Sequence, residues 1–313
     1  MTPQRRDRPW STRLCCTVSE PFPTIDQIVG NTPVVRLQRL APPRSTVLAK
    51  LEGGNPAGSV KDRAAFSMIA AAERDGLIHP GSVIVEATSG NTGIALAAAA
   101  AVLGYTMVLV IPEGSSQERL DAMRAYGAEV VETERARGIE FARDTASDIE
   151  RSRPAVRLDQ FANPANPAAH YETTAREIWE QTAHRVTHVV CAMGTTGTIT
   201  GISRAFAELS PSVEVIGVQP GPGESIPGIR AWPDEYLPAI FDGTHISAVR
   251  TVTSARAIET TRALARVEGL LLGLSSGGAA AIAIDVATES PGSVVVFIAP
   301  DRGDRYMSTG VFS

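Results

Sequence analysis

The chain has 313 residues, 43% of them hydrophobic and 20% charged, with a formal net charge of −5. That is a globular composition, long enough for one large or two ordinary domains. The acidic balance argues against a nucleic-acid surface, and no apolar run approaches a membrane span. Three cysteines, two of them adjacent, cannot make a disulfide framework and fit a reducing, cytoplasmic setting.

Residues 1–20 stand apart. They carry Arg5, Arg6, Arg8 and Arg13 with Pro3 and Pro9, lack the apolar core of a secretory signal, and read as a disordered tail. Short strands are expected at 34–37 and 47–51. The stretch Asn55-Pro56-Ala57-Gly58-Ser59-Val60-Lys61-Asp62-Arg63 then turns into a helix. Asn55-Pro56 marks a turn and Gly58 permits a tight bend. Ser59 is the expected N-cap of a run whose buried stripe is Val60, Ala64, Met68 and Ala71 or Ala72, ended by Gly76. Lys61 thus falls in a first helical turn, where the dipole disfavours an ammonium and suits a neutral, nucleophilic amine. Taken alone it reads either as a solvated surface lysine or as a Schiff-base amine.

Beyond Gly76 a regular alternation sets in. Strands are expected at 83–86, 107–111 and 129–131, and helices at 91–103, 117–126 and 139–151. Such strand–helix repeats predict parallel sheets with helices on both faces. Residues 159–171, rich in Asn, Pro and Ala, are expected to be a loop and a domain crossing. A helix at 173–182, a strand at 188–192, a helix at 198–209 and a strand at 213–218 follow. Residues 220–238 form a long Gly/Pro-rich segment of the kind that carries function. Helices at 255–268 and 276–288 and a strand at 293–298 complete the expected elements.

Three turns open helices with glycines and hydroxyls: Thr88-Ser89-Gly90-Asn91-Thr92-Gly93, Gly194-Thr195-Thr196-Gly197-Thr198 and Gly273-Leu274-Ser275-Ser276-Gly277-Gly278. Each reads as a helix cap. The first two also read as anion sites, because free backbone N–H groups gather at a helix N-terminus after a strand. Neither matches the P-loop pattern. His170, His184, His188 and His245 are scattered, show no metal spacing and are expected to be structural.

Together these motifs resemble the pyridoxal-phosphate cysteine synthases, which share their fold with tryptophan synthase β and cystathionine β-synthase. The resemblance runs from about residue 21 to the C-terminus. It is strongest to the B-type enzymes, through the Lys61 motif, Ile226-Pro227-Gly228-Ile229-Arg230-x-Trp232-Pro233 and Asp301-Arg302-Gly303-Asp304-Arg305-Tyr306. It implies a fold-type II α/β enzyme with two parallel-sheet, three-layer domains and pyridoxal 5′-phosphate between them. The larger domain would hold 21–47 and 165–313, and the smaller 48–164.

The resemblance also implies roles. Lys61 would form the Schiff base and remove the α-proton. Gly194, Thr195, Thr196, Gly197 and Thr198 would cradle the phosphate, Asn91 would bond the 3′-oxygen, and Ser275 would meet the pyridine nitrogen. Thr88, Ser89, Gly90 and Thr92, with Gln160, would bind the substrate carboxylate. The implied reaction replaces the acetate of O-acetyl-L-serine by sulfide or thiosulfate, in a homodimer. Arg230 is either a surface-loop arginine or the contact for thiosulfate. The chain has Ala231 where the B-type pattern has a second arginine, and Pro300 where it has a cysteine. Alternatives on the same scaffold would use O-phosphoserine, or serine as cystathionine β-synthase does. A non-catalytic homologue would instead dock serine acetyltransferase.

Overall fold

A computed structural model describes residues 22–88 and 90–313. The expected tail and Ser89 lie outside the described residues. The short β-branched runs assemble into two sheets. One has six strands in the order β1 (Val34–Arg36), β2 (Thr46–Leu51), β10 (Val294–Ala299), β7 (His188–Ala192), β8 (Glu214–Pro220) and β9 (Ala248–Val252). The other has four, in the order β5 (Glu129–Thr133), β4 (Thr106–Pro112), β3 (Val83–Ala87) and β6 (Ala155–Arg157). All pairings are parallel except that of β1 with β2.

Helices cover both faces of each sheet, because successive strand residues point to opposite sides. Val295 and Phe297 of β10 pack among residues of α8 (Ser254–Glu268) and α9 (Leu274–Glu289). Val296 and Ile298 pack on the other face against α6 (Ala175–Gln181) and α7 (Gly197–Leu209). In the smaller sheet, Met107, Leu109 and Ile111 meet α1 (Lys61–Arg74), α2 (Asn91–Leu103) and α3 (Gln117–Ala125). Val108 and Val110 face α4 (Gly138–Ser152).

The strand orders place two crevices. The chain runs from β3 outward to β5 and then crosses to β6 on the other side of β3. In the larger sheet it runs from β7 outward to β9 and then crosses to β10. Ligands in open α/β sheets bind where such reversals occur, beyond the carboxyl ends of the strands. The 88–92 and 194–198 turns follow β3 and β7, and Gln160 and Asp301 follow β6 and β10.

Some expectations changed. Residues 165–171, expected as loop, are helical: α5 (Ala165–Ala169) runs into a π-turn, His170–Thr174, that leads into the expected helix. Pro167 sits in the first turn of α5, where a missing N–H costs nothing, and Asn163 Oδ1 accepts the Ala165 N–H at 3.0 Å. β6 and β9 carry too few apolar residues to announce themselves and exist because a sheet edge pairs them. The expected domain boundary at 47/48 falls inside β2, which pairs with β10 from Thr46 to Leu51.

Candidate active site

α1 forms because its sequence is alanine-rich and its start is tied down. Ser59 Oγ accepts the Lys61 N–H at 3.2 Å, although the cap position itself falls on Val60, one residue beyond the expected cap. Asp62 Oδ2 turns back to accept the Ala57 N–H at 2.5 Å, closing the turn. Burial is the main influence on Asp62 and pushes its carboxyl up to about 6, against these hydrogen bonds and the nearby Arg305. The expected stripe is buried, but so is the rest of the helix surface from Asp62 to Ile69.

The reason is a buried ionic cluster that the sequence reading did not find. Arg63 bonds Glu52 at 2.7 and 2.8 Å and Glu177 at 2.6 and 2.8 Å. Lys50 reaches the same Glu177 at 2.6 Å. Lys50, Glu52 and Arg63 are fully buried. Burial works against the Glu52 charge, but Arg63 overrides it and brings that carboxyl down to about 2. This cluster joins β2, α1 and α6 beneath Lys61.

Lys61 opens onto a cavity of about 870 Å³ between the two sheets. Among the described residues no hydrogen bond or ion pair holds its amine. Burial lowers its proton affinity, with the charges of Asp301 and Glu52 opposing. An amine that faces a cavity and gives up its proton more readily than usual is suited to act as a nucleophile and a base.

On the large-sheet side, the 194–198 turn lines the same cavity through Gly194, Thr195, Thr196 and Thr198. Thr196 is left-handed, φ 70°, a conformation uncommon outside glycine. The N–H groups of Gly194, Thr195 and Thr196 have no acceptor among the described residues, and the buried Thr196 Oγ1 has no partner. Gly197 faces away from the cavity, and a Cβ there would collide with Asn166. Asn166 Nδ2 also bonds the Gln160 carbonyl at 2.7 Å, linking the two crevices. His170, expected to be structural, is fully buried and bonds Thr174 Oγ1 at 2.9 Å and Thr198 Oγ1 at 3.2 Å. Burial and the charge of Arg63 push its ring down to about 3, so it is neutral.

On the small-sheet side, Thr92 Oγ1 donates to Gln160 Oε1 at 2.7 Å, while Gln160 Nε2 donates to the Ala87 carbonyl at 3.2 Å. Thr88 and Gly90 line the cavity beside them. Asn91 is bonded on both sides by Asp301 and Arg305. Ser275 is buried at the start of α9 and lines the cavity. Gly228 passes so close that a Cβ on it would stand 3.4 Å from Ser275 Oγ. Arg230 is exposed at the cavity, its guanidinium 5.3 Å above the Trp232 ring. Trp232 Nε1 donates to the Gly194 carbonyl at 2.7 Å, so the 220–238 segment is anchored to the phosphate-type turn.

The donor set fits pyridoxal phosphate. Unpaired N–H groups and hydroxyls at the N-terminus of α7 suit a phosphate, and the Lys61 amine and Ser275 hydroxyl share its cavity. The site belongs to an α/β enzyme and brings a lysine amine into one cavity with a turn suited to a phosphate-bearing cofactor. The chain belongs to the family of pyridoxal-phosphate dependent enzymes, whose model matches residues 25–301. Within that family it is 56% identical over 290 residues to cysteine synthase B of Escherichia coli, covering 92% of this chain and 96% of that protein. The crystal structure of O-ureido-L-serine synthase superposes with a TM-score of 0.89 at 39% identity, covering 93% of this chain and 95% of that one. Cysteine synthase of Entamoeba histolytica superposes at 0.87 and 34%, covering 95% and 94%.

Proposed function

We propose that this protein is a cysteine synthase that replaces the acetate of O-acetyl-L-serine by sulfide. The observation that carries it is the Lys61 amine: unpaired, of lowered proton affinity, and set in a cavity opposite a phosphate-type turn. The strong identity to cysteine synthase B supports the choice of reaction. Bound pyridoxal phosphate supplies an electron sink for the pair released at Cα.

The chain's own groups do the rest. The 194–198 turn holds the phosphate, and Ser275 meets the ring nitrogen as a hydroxyl, which keeps the sink moderate and favours elimination. The N-terminal turn of α2, with Thr88, Ser89, Gly90, Thr92 and Gln160, binds the substrate carboxylate. Lys61 takes the α-proton; acetate leaves with the Cβ–O electron pair. Sulfide then forms the Cβ–S bond with its own pair, and Lys61 returns the proton to Cα. The two walls of the cavity belong to a larger and a smaller domain. The protein works as a homodimer in the cytoplasm.

Arg230 contacts thiosulfate where that donor replaces sulfide. Its position at the cavity above Trp232 supports this, and Ala231 leaves it without a neighbouring arginine. Arg230→Ala should raise KM for thiosulfate about tenfold and leave sulfide kinetics unchanged.

The visible spectrum tests the main reading. The cofactor-loaded protein should change colour on adding O-acetylserine and return on adding sulfide. Lys61→Ala should lose turnover by about 10²–10⁴-fold. A loaded protein indifferent to O-acetylserine would redirect the reading to O-phosphoserine or serine.

A further inference from the structure

Asn91 is the first residue of α2, and the segment after β10 clamps its amide from both ends. Arg305 Nη1 donates to Asn91 Oδ1 at 2.6 Å, and Asn91 Nδ2 donates to Asp301 Oδ2 at 2.7 Å. Asp301 is fully buried and also accepts from the Tyr306 hydroxyl at 2.7 Å. Turning the amide over would set its NH₂ against a guanidinium and its oxygen against a carboxylate. Only one orientation is therefore satisfied. In it the oxygen is engaged and one N–H of Nδ2 remains, on a side chain that lines the cavity.

Arg305 reaches further. Its Nη2 bonds the carbonyl of Ala57, in the turn that leads to Lys61. Gly58 beside it has φ +85°, and a Cβ there would run into the same Nη2. One guanidinium thus joins the turn before Lys61 to the amide of Asn91. The sequence places Arg305 more than two hundred residues away from both.

We infer that Arg305 is a positioning residue: it locks the Asn91 amide so that its free N–H is a donor to the 3′-oxygen of pyridoxal phosphate. The inference rests on the cofactor reading above. An aldehyde-free ligand isolates it, because Lys61 then plays no covalent part. The probes are pyridoxine 5′-phosphate and its 3-deoxy analogue, titrated into apo-protein and read by tryptophan fluorescence.

Wild type should prefer the hydroxylated probe about tenfold. Asn91→Ala should abolish that preference. Arg305→Met should abolish most of it while changing affinity for the 3-deoxy probe by less than about threefold, whereas a merely structural role would weaken both probes alike. If that variant does not fold, Arg305→Lys decides. A single ammonium cannot span Ala57 and Asn91, so the preference should fall to about threefold or less. A full preference in either variant, or equal weakening of both probes, overturns the role of Arg305. Equal binding of both probes to wild type overturns the Asn91 donor and this inference with it. Failure of both probes to bind wild type sinks the cofactor reading itself.

Discussion

Burial disfavours the charged form of two opposite kinds of group in this protein. It lowers the proton affinity of Lys61 and raises that of Glu86, whose carboxyl sits at about 8 through burial and the nearby Asp159, against Arg157. Among the described residues Glu86 Oε2 has no hydrogen-bond partner. An unfolded glutamate releases its proton near 4.5. Between 4.5 and about 8 the folded chain holds a proton that the unfolded chain has lost, so this group's contribution to stability falls as pH rises through that window. Glu86→Gln should match wild type at pH ~4 and exceed it at pH ~9 by about 1–4 kcal/mol. Thermal melts at the two pH values check this; an equal gain at both would mean the carboxyl is ionised when buried. The same logic applies to Lys61 with the sign of its own shift. Cofactor capture by apo-protein should rise with pH along a limb lying below that of an ordinary lysine.

Elements hold these side chains through contacts that cross the fold. α1 is fixed by Arg63, whose guanidinium is shared between Glu52 of the 3-10 turn Glu52–Gly54 and Glu177 of α6. Arg63→Met leaves Glu52 buried without its main partner and should cost about 3–5 kcal/mol in urea denaturation. α7 is fixed differently. Gly201 faces α5 and the π-turn so closely that a Cβ would strike the Pro167 carbonyl and His170 Cβ. Gly201→Ala should destabilise by about 1–3 kcal/mol, and it should weaken phosphate binding, since α7 carries the 194–198 turn. Differential scanning calorimetry and an inorganic phosphate titration separate the two effects.

At the scale of the molecule, the segment after β10 ties the large sheet to the small one. Asp301 and Arg305 hold Asn91, and Ser308 Oγ donates to Glu118 Oε2 of α3 at 3.0 Å. The proposed substrate loop follows β3, while the proposed phosphate turn follows β7, so a ligand that touches both should draw the two sheets together. The radius of gyration in small-angle scattering should fall when an unreactive amino-acid analogue binds the loaded protein, and an unchanged radius would mean a preformed site. Light scattering at micromolar concentration should give twice the chain mass.

The local signals were strong where one segment supplied its own reasons. Gly76 and Gly104 were legible as helix stops, and both are left-handed at φ 71° and 79°. The strand–helix alternation determined parallel pairing, since a helix between strands returns the chain to the same edge direction. The motif order around Lys61, 88–92, 194–198 and Ser275 determined which residues meet in the cavity, apart from Ser89, which lies outside the described residues, and Gly197, which packs outward on Asn166. Tertiary structure alone decided the rest. β6 and β9 are strands only because a neighbour completes their hydrogen bonds. Pro167 and its neighbours are helical because they pack on Gly201. Lys50, Glu52, Arg63 and Glu177 look like surface charges in one dimension, and only long-range partners make their burial tolerable. The clamp on Asn91 and the neutral His170 behind Thr198 belong to the same class. Each depends on groups far apart in sequence, and no local propensity encodes a partner two hundred residues away.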